Sequence, residues 1–233
     1  VSILKKNNSQ LSYQIVAVSP VADLKYLDAQ AGTIICLDGA IYDLLSAGII
    51  PDYLLGDFDS VGKEALKRAA DLGVKLIYDA DQNTTDLEKG LRLVMGMAEN
   101  AEGVSVKIFR ALSGRADHSL YNLGLLKKFH KLFDDLTIID GKEIVSYHEN
   151  EELEVVGEAW DHMAVMGFPS AEVSSHGLRY DMENLALEIG GMQSACNSLA
   201  QSKAAIKITG CALMVRRVNV KLSRIIDNTL SGK

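Results

Sequence analysis

The sequence predicts an α/β N-terminal domain, with a mostly parallel sheet and helices on both faces, followed by a small all-β sandwich domain. Two observations carry this. Up to residue 141, short apolar runs alternate with helical patterns, the grammar of a parallel sheet covered by helices. Over 142–233, runs of strand type follow one another, several punctuated by glycine and most without a long helix between them. That pattern predicts an antiparallel sandwich or barrel.

In the first domain the runs YQIVAVS (13–19), TIICL (33–37), DYLL (52–55), VKLIY (74–78), VKIFR (106–110) and LTIID (136–140) read as strands. They are short and almost wholly apolar, as buried strands of a parallel sheet are. Helical patterns fill the gaps at 21–30, 41–48, 63–73, 85–100 and 117–132. The segments 41–48 and 63–73 each end on glycine, the usual residue just past a helix. Thr85 and Glu88 have the spacing of a capping box. In the second domain EIVSYH, ELEVV, HMAVMGF, AEVSSHG, LALEIGG, AAIKITG and CALMVRRV read as separate strands, with AQSKAAI as an alternative helical turn.

The chain of 233 residues is 48% hydrophobic, so each domain can bury a core. A formal net charge of −7 argues against a nucleic-acid partner. The cysteines Cys36, Cys196 and Cys211 have neither the pairing nor the spacing of a disulfide framework or a structural zinc site. No apolar run reaches the roughly 18 to 20 residues that span a bilayer. No secretory leader is visible, and a cytoplasmic protein is expected.

Ligands of an open parallel sheet bind beyond the carboxyl ends of its strands. Four consecutive strand ends carry Asp38, then Asp57 and Asp59, then Gln82 and Asp86, then Arg115 and Asp117. In an extended chain, Asp57 and Asp59 would point the same way, and two carboxylates so placed call for a cation between them. Each residue has a local explanation: Asp38 as a turn residue, Asp86 as a favourable charge in a first helical turn, Asp117 as a helix cap, Arg115 as an ion-pair partner. Those explanations do not account for their convergence on one sheet edge. Converging carboxylates suit a hard divalent cation such as Mg²⁺, and an arginine fork suits phosphate. A nucleotide polyphosphate bridged by Mg²⁺ fits both.

Competing motifs fail on detail. An EF-hand loop starting at Asp57 would need an acid at its twelfth position, where Arg68 stands. Neither a P-loop nor a G-x-G-x-x-G fingerprint is present. DFDSV is similar to the D-x-D-x-[TV] of haloacid-dehalogenase-like phosphatases, but there it ends the first strand and here it follows the third. A glycosyltransferase D-x-D and a non-catalytic nucleotide-binding module stay open on these residues alone.

In order, LDGAIYDLLSAGIIPDYLLGDFDSV, DQNTTDLEKGL and LSGRADHSLYNLGLL resemble the thiamine pyrophosphokinase family. The likeness continues more weakly into SSHGLRYDM and SACNSLA. It implies a catalytic α/β domain over 1–141, a thiamine-binding sandwich over 142–233, and a homodimer with active sites at its interface. The implied reaction moves the β,γ-pyrophosphoryl group of ATP to the hydroxyl of thiamine. The resemblance assigns Asp57, Asp59 and Asp86 to metal binding and, with Arg115, to catalysis. It assigns Asp38, Gln82, Asp117 and Asn197 to the substrates. A carboxylate would accept the proton of the thiamine hydroxyl, and the resemblance leaves open which, with Asp59 and Asp86 as candidates. Two positions depart from the family pattern: Ala40 stands where glycine is usual, and Cys196 where serine is. The single tryptophan, Trp160, is expected in the sandwich core, with stacking on a ligand ring as the alternative.

Overall fold

The computed structural model describes residues 11–20, 24–99 and 101–225. The chain forms two compact units, 1–141 and 142–233.

The first unit runs β1 (Leu11–Val16), β2 (Thr33–Leu37), α1 (Ala40–Ser46), β3 (Tyr53–Gly56), α2 (Lys63–Asp71), β4 (Lys75–Tyr78), α3 (Asp86–Met97), β5 (Val104–Phe109), α4 (Ala116–Phe129) and β6 (Asp135–Asp140). The strands lie in the order β6-β5-β1-β2-β3-β4, and every pair is parallel. From β1 in the middle, the sheet builds outwards to β4 and returns to the other side of β1 with β5. Strand order reverses between β1 and β5, the switch point at which such sheets open a crevice. Ile34 to Leu37 are buried residue after residue, because helices cover both faces. The α3 helix packs on β1, β2 and β3 and against α4, whereas α1 packs on β2 and against α2.

One expected helix is absent. Of the pattern at 21–30, residues 21–23 lie outside the described residues, and 24–30 form turns. The buried Gln14 of β1 explains this. Its amide donates to the Asp28 carbonyl at 2.6 Å, and its Oε1 accepts from the Asp28 amide at 3.1 Å. Those bonds take the backbone groups that a helix would use.

The second unit contains β7 (Glu143–Val156), β8 (His162–His176), β9 (Leu185–Glu188), β10 (Ser194–Ser198), β11 (Lys203–Arg217) and β12 (Lys221–Arg224). All pairings are antiparallel. Six of the expected short strands are three long ones: EIVSYH and ELEVV are both β7, HMAVMGF and AEVSSHG are both β8, and AAIKITG and CALMVRRV are both β11. The helical alternative at AQSKAAI fails, since β11 begins at Lys203. Each long strand bends midway. In β11 the register shifts between Ile208 and Cys211, and Gly210 takes a φ of +95° at that point, a conformation that suits glycine. Met163, Val165 and Met214 from one end of the strands share an apolar cluster with Leu153, Val173 and Ile206 from the other. These side chains are almost fully buried, so the bent sheet closes on itself as a two-layered sandwich.

Trp160 is not in that core. It is 70% exposed and lies in a turn with φ +74°. The Arg179 guanidinium sits 4.7 Å from its ring and 5.4 Å from that of Tyr180, a cation–π stack at the surface.

Candidate active site

A cavity of about 630 Å³ opens at the carboxyl edge of the parallel sheet. Five strand ends contribute to it, including Ser19 after β1, Asp57 and Asp59 after β3, Asp86 at the start of α3, and Arg110 and Arg115 after β5.

Three carboxylates form the acidic centre. One oxygen each of Asp38, Asp57 and Asp59 lies within 4.8 Å of the others. Asp38 follows β2 with φ +41°, and its amide donates to the Leu55 carbonyl of β3 at 2.9 Å. The Ser60 hydroxyl donates to its Oδ2. Its Oδ1 is buried and has no hydrogen-bond partner among the described residues. Gly56 makes room for this carboxylate, since a Cβ there would stand 2.8 Å from Asp38 Oδ1. Asp57 and Asp59 do converge, but not through an extended chain. Phe58 between them has φ +61°, and the turn is held by the Asp59 amide donating to Asp57 Oδ1 at 3.1 Å.

The cluster is charged unevenly. A hydrogen bond from Gln82 Nε2 to Asp57 Oδ2 at 2.8 Å holds the Asp57 carboxyl below its ordinary pKa, helped by the Asp59 amide. The negative charge of Asp57 then pushes Asp59 above its ordinary value. Like charges gathered beside an unpartnered buried oxygen are the donor set of a hard divalent cation.

Asp86 stands on the cavity wall but outside this group of three. Its Oδ1 pairs with Lys89 Nζ at 3.2 Å. Thr85 caps α3 by accepting from the Glu88 amide at 3.3 Å. The other half of the expected capping box is missing, because the Glu88 carboxylate turns to α4. Arg115 and Asp117 form a two-pronged pair at 3.1 and 2.5 Å. This pair drives the Asp117 carboxyl down to about 2. Both side chains are exposed, at 71% and 63%. The loop before Arg115 is anchored by Asp140, which accepts from the Leu112 amide at 2.8 Å and the Ser113 hydroxyl at 2.7 Å.

Asn197 lies in the second unit. Its Oδ1 accepts from the Tyr180 amide at 3.1 Å, and its Nδ2 donates to the Tyr180 carbonyl at 2.7 Å. It thereby fixes the turn that carries Arg179 and Tyr180.

Two cavity cations went unnoticed in the sequence. Lys89 is 5% exposed and donates to the Asp79 carbonyl at 3.1 Å as well as to Asp86. Arg110 is 2% exposed at the end of β5. The one signal for Lys89 is its place three residues after Asp86 on a helix. Arg110 reads as the last residue of a strand, and nothing local marks it.

A cluster of acids and two buried cations beside one cavity, at the carboxyl edge of a parallel sheet, define the class: an α/β enzyme equipped for phosphate transfer. The profile described as "Thiamin pyrophosphokinase, catalytic domain" matches residues 24–139, and that described as "Thiamin pyrophosphokinase, vitamin B1 binding domain" matches 150–212. Thiamin pyrophosphokinase 1 of Caenorhabditis elegans is 30% identical over 183 residues, 74% of this chain and 74% of that protein. Thiamine pyrophosphokinase 1 of Oryza sativa subsp. japonica is 27% identical over 179 residues, 73% of this chain and 67% of that protein. The crystal structure of thiamine pyrophosphokinase from Bacillus subtilis superposes with a TM-score of 0.76 at 26% identity, covering 88% of this chain and 98% of that one. The chain belongs to the thiamin pyrophosphokinase family. That membership does not favour a haloacid-dehalogenase-like phosphatase or a non-catalytic binding module.

Proposed function

We propose that this chain transfers the pyrophosphoryl group of ATP to the hydroxyl of thiamine, giving thiamine diphosphate and AMP. The observation that carries the reading is the three-carboxylate cluster with its orphaned Asp38 oxygen, set beside the cavity. Asp38, Asp57 and Asp59 would hold Mg²⁺. Bound there, the metal supplies neutralisation of charge on the phosphate oxygens. Gln82 orients Asp57 by its hydrogen bond. Arg115 presents a planar fork to a phosphate once it leaves Asp117. Either Asp59 or Asp86 takes the proton of the thiamine hydroxyl as that oxygen bonds to the β-phosphorus. The bond from the β-phosphorus to the oxygen bridging the α-phosphorus breaks, and AMP departs with the electron pair. The second unit serves thiamine, with Asn197 acting through the turn it fixes.

Incubation with ATP, Mg²⁺ and thiamine should yield AMP and thiamine diphosphate in equal amounts. Release of inorganic phosphate without thiamine would instead support a phosphatase, and binding without turnover a carrier module.

The resemblance also supports a homodimer with active sites at its interface. Light scattering of the active protein should give twice the chain mass, and an active monomer would overturn this. Free thiols at Cys36, Cys196 and Cys211 support a reducing compartment such as the cytoplasm. No helix among the described residues is long and apolar enough to cross a membrane.

Arg115→Lys separates a phosphate contact from a structural pair. It keeps the charge and loses the fork. An exposed pair contributes little to folding, so the melting temperature should hardly move. The value of kcat/KM for ATP should fall about ten- to a thousandfold. Unchanged kinetics with a lowered melting temperature would assign Arg115 to structure.

A further inference from the structure

Arg110 is built unlike the other cations of the cavity. It follows β5 directly with φ +65°, a backbone region that glycine enters freely and arginine seldom does. Strain of this kind persists where surrounding structure enforces it, often at ligand sites. Its Nη2 donates to the Ser19 carbonyl and to Asp43 Oδ2, each at 2.6 Å. Its Nε and Nη1 are buried, and no acceptor for them exists among the described residues. Buried donors without acceptors are unfavourable and call for a partner.

The position is equally specific. Ser19 follows β1 and Arg110 follows β5, so the guanidinium lines the crevice where strand order reverses. Lys89 is already engaged by Asp79 and Asp86. Arg115 is engaged on two prongs by Asp117. Of these three cavity cations, Arg110 alone is a buried fork with donors to spare.

We infer that Arg110 is a phosphate receptor lining the cavity, with Nε and Nη1 donating to oxygens of a polyphosphate. The inference rests on the pyrophosphotransferase reading and adds to it a contact outside the family's motif residues.

The test uses the full chain, with inorganic pyrophosphate and Mg²⁺ as the calorimetric probe and steady-state kinetics for ATP. Arg110→Lys keeps the charge but loses the fork, and should weaken pyrophosphate binding about tenfold. Arg110→Gly removes every donor and relieves the positive φ, so it guards against loss through misfolding; binding should weaken on the order of a hundredfold. Both variants should raise KM for ATP and leave KM for thiamine alone. Asp43→Asn frees Nη2 and should leave pyrophosphate affinity equal or tighter. Wild-type protein that ignores pyrophosphate, Arg110 variants within about threefold of wild type, or an equal loss in Asp43→Asn would each overturn the inference and make Arg110 an internal ion-pair partner. Arg110-dependent pyrophosphate binding without any thiamine diphosphate formation would overturn the proposed reaction and leave the receptor standing.

Discussion

Asp57→Asn should lower turnover by roughly 10²-fold or more, the scale of losing one electrostatic contact to a transition state. The melting temperature should stay close to that of the wild type. The side chain keeps its shape, and its Oδ1 can still accept from the Asp59 amide as it does at 3.1 Å. What changes is the charge. The Asp57 carboxyl is held below its ordinary pKa by Gln82 and by the Asp59 amide. It is also the charge that raises Asp59. Removing it takes away one of the three charges that attract a divalent cation, although that also relieves Asp59. Steady-state turnover at saturating ATP and thiamine, set beside a thermal melt, decides the matter. Near-normal turnover would remove Asp57 from the catalytic set.

Glu88→Gln should act on stability instead. Glu88 is completely buried on α3. Its Oε1 accepts from Arg92 at 2.5 Å and Lys128 at 2.6 Å, and its Oε2 from the Tyr121 hydroxyl at 2.5 Å. Lys128 and Tyr121 belong to α4, so one carboxylate ties the two helices behind the cavity. Burial pushes this carboxyl upward, but the Lys128, Tyr121 and Arg92 bonds outweigh it and leave the pKa below its ordinary 4.5. Arg92 and Lys128 are half exposed and recover water when the charge is lost. The penalty should therefore be about 1–3 kcal/mol, less than for a fully buried pair. The pH dependence has a definite sign. A depressed carboxyl pKa adds stability that is complete above the ordinary value and disappears as pH falls through the folded value. Wild type should exceed Glu88→Gln at neutral pH, and the gap should close on acidification below about pH 4.5. A gap that is constant with pH would show that packing, not charge, is what Glu88 contributes.

The parallel unit was legible because its information is local. Apolar runs such as TIICL have few alternatives to a buried strand, and acids after such runs fall at the ligand edge of the sheet. Asp38, Asp57 and Asp59 were found that way. The path by which Asp57 and Asp59 converge was not, because a left-handed Phe58 between them leaves no mark in the pattern. The helix expected at 21–30 fails over its described part, 24–30, for a tertiary reason, since Gln14 lies on another element and claims the backbone of Asp28. Lys89 and Arg110 were invisible on the same grounds: a lysine on a helix reads as solvated until the walls around it are known. In the second unit, Gly210 and the polar stretch around Asn150 look like strand ends, whereas they are bends within continuous strands.

Those bends tie the two layers of the second unit together mechanically. β7, β8 and β11 run through both layers, and each layer adds only short strands of its own, β10 on one side and β9 and β12 on the other. Neither layer can therefore peel away while the other persists. Backbone amides at Val145 and at Leu153 should become accessible to hydrogen exchange through one shared opening, not two local ones. The arrangement also delays assembly. β11 pairs with β7 from Lys203–Val156 to Arg217–Glu143, so the unit gains its cohesion only when its last long strand arrives between the first two, a non-local closure that makes for slow folding.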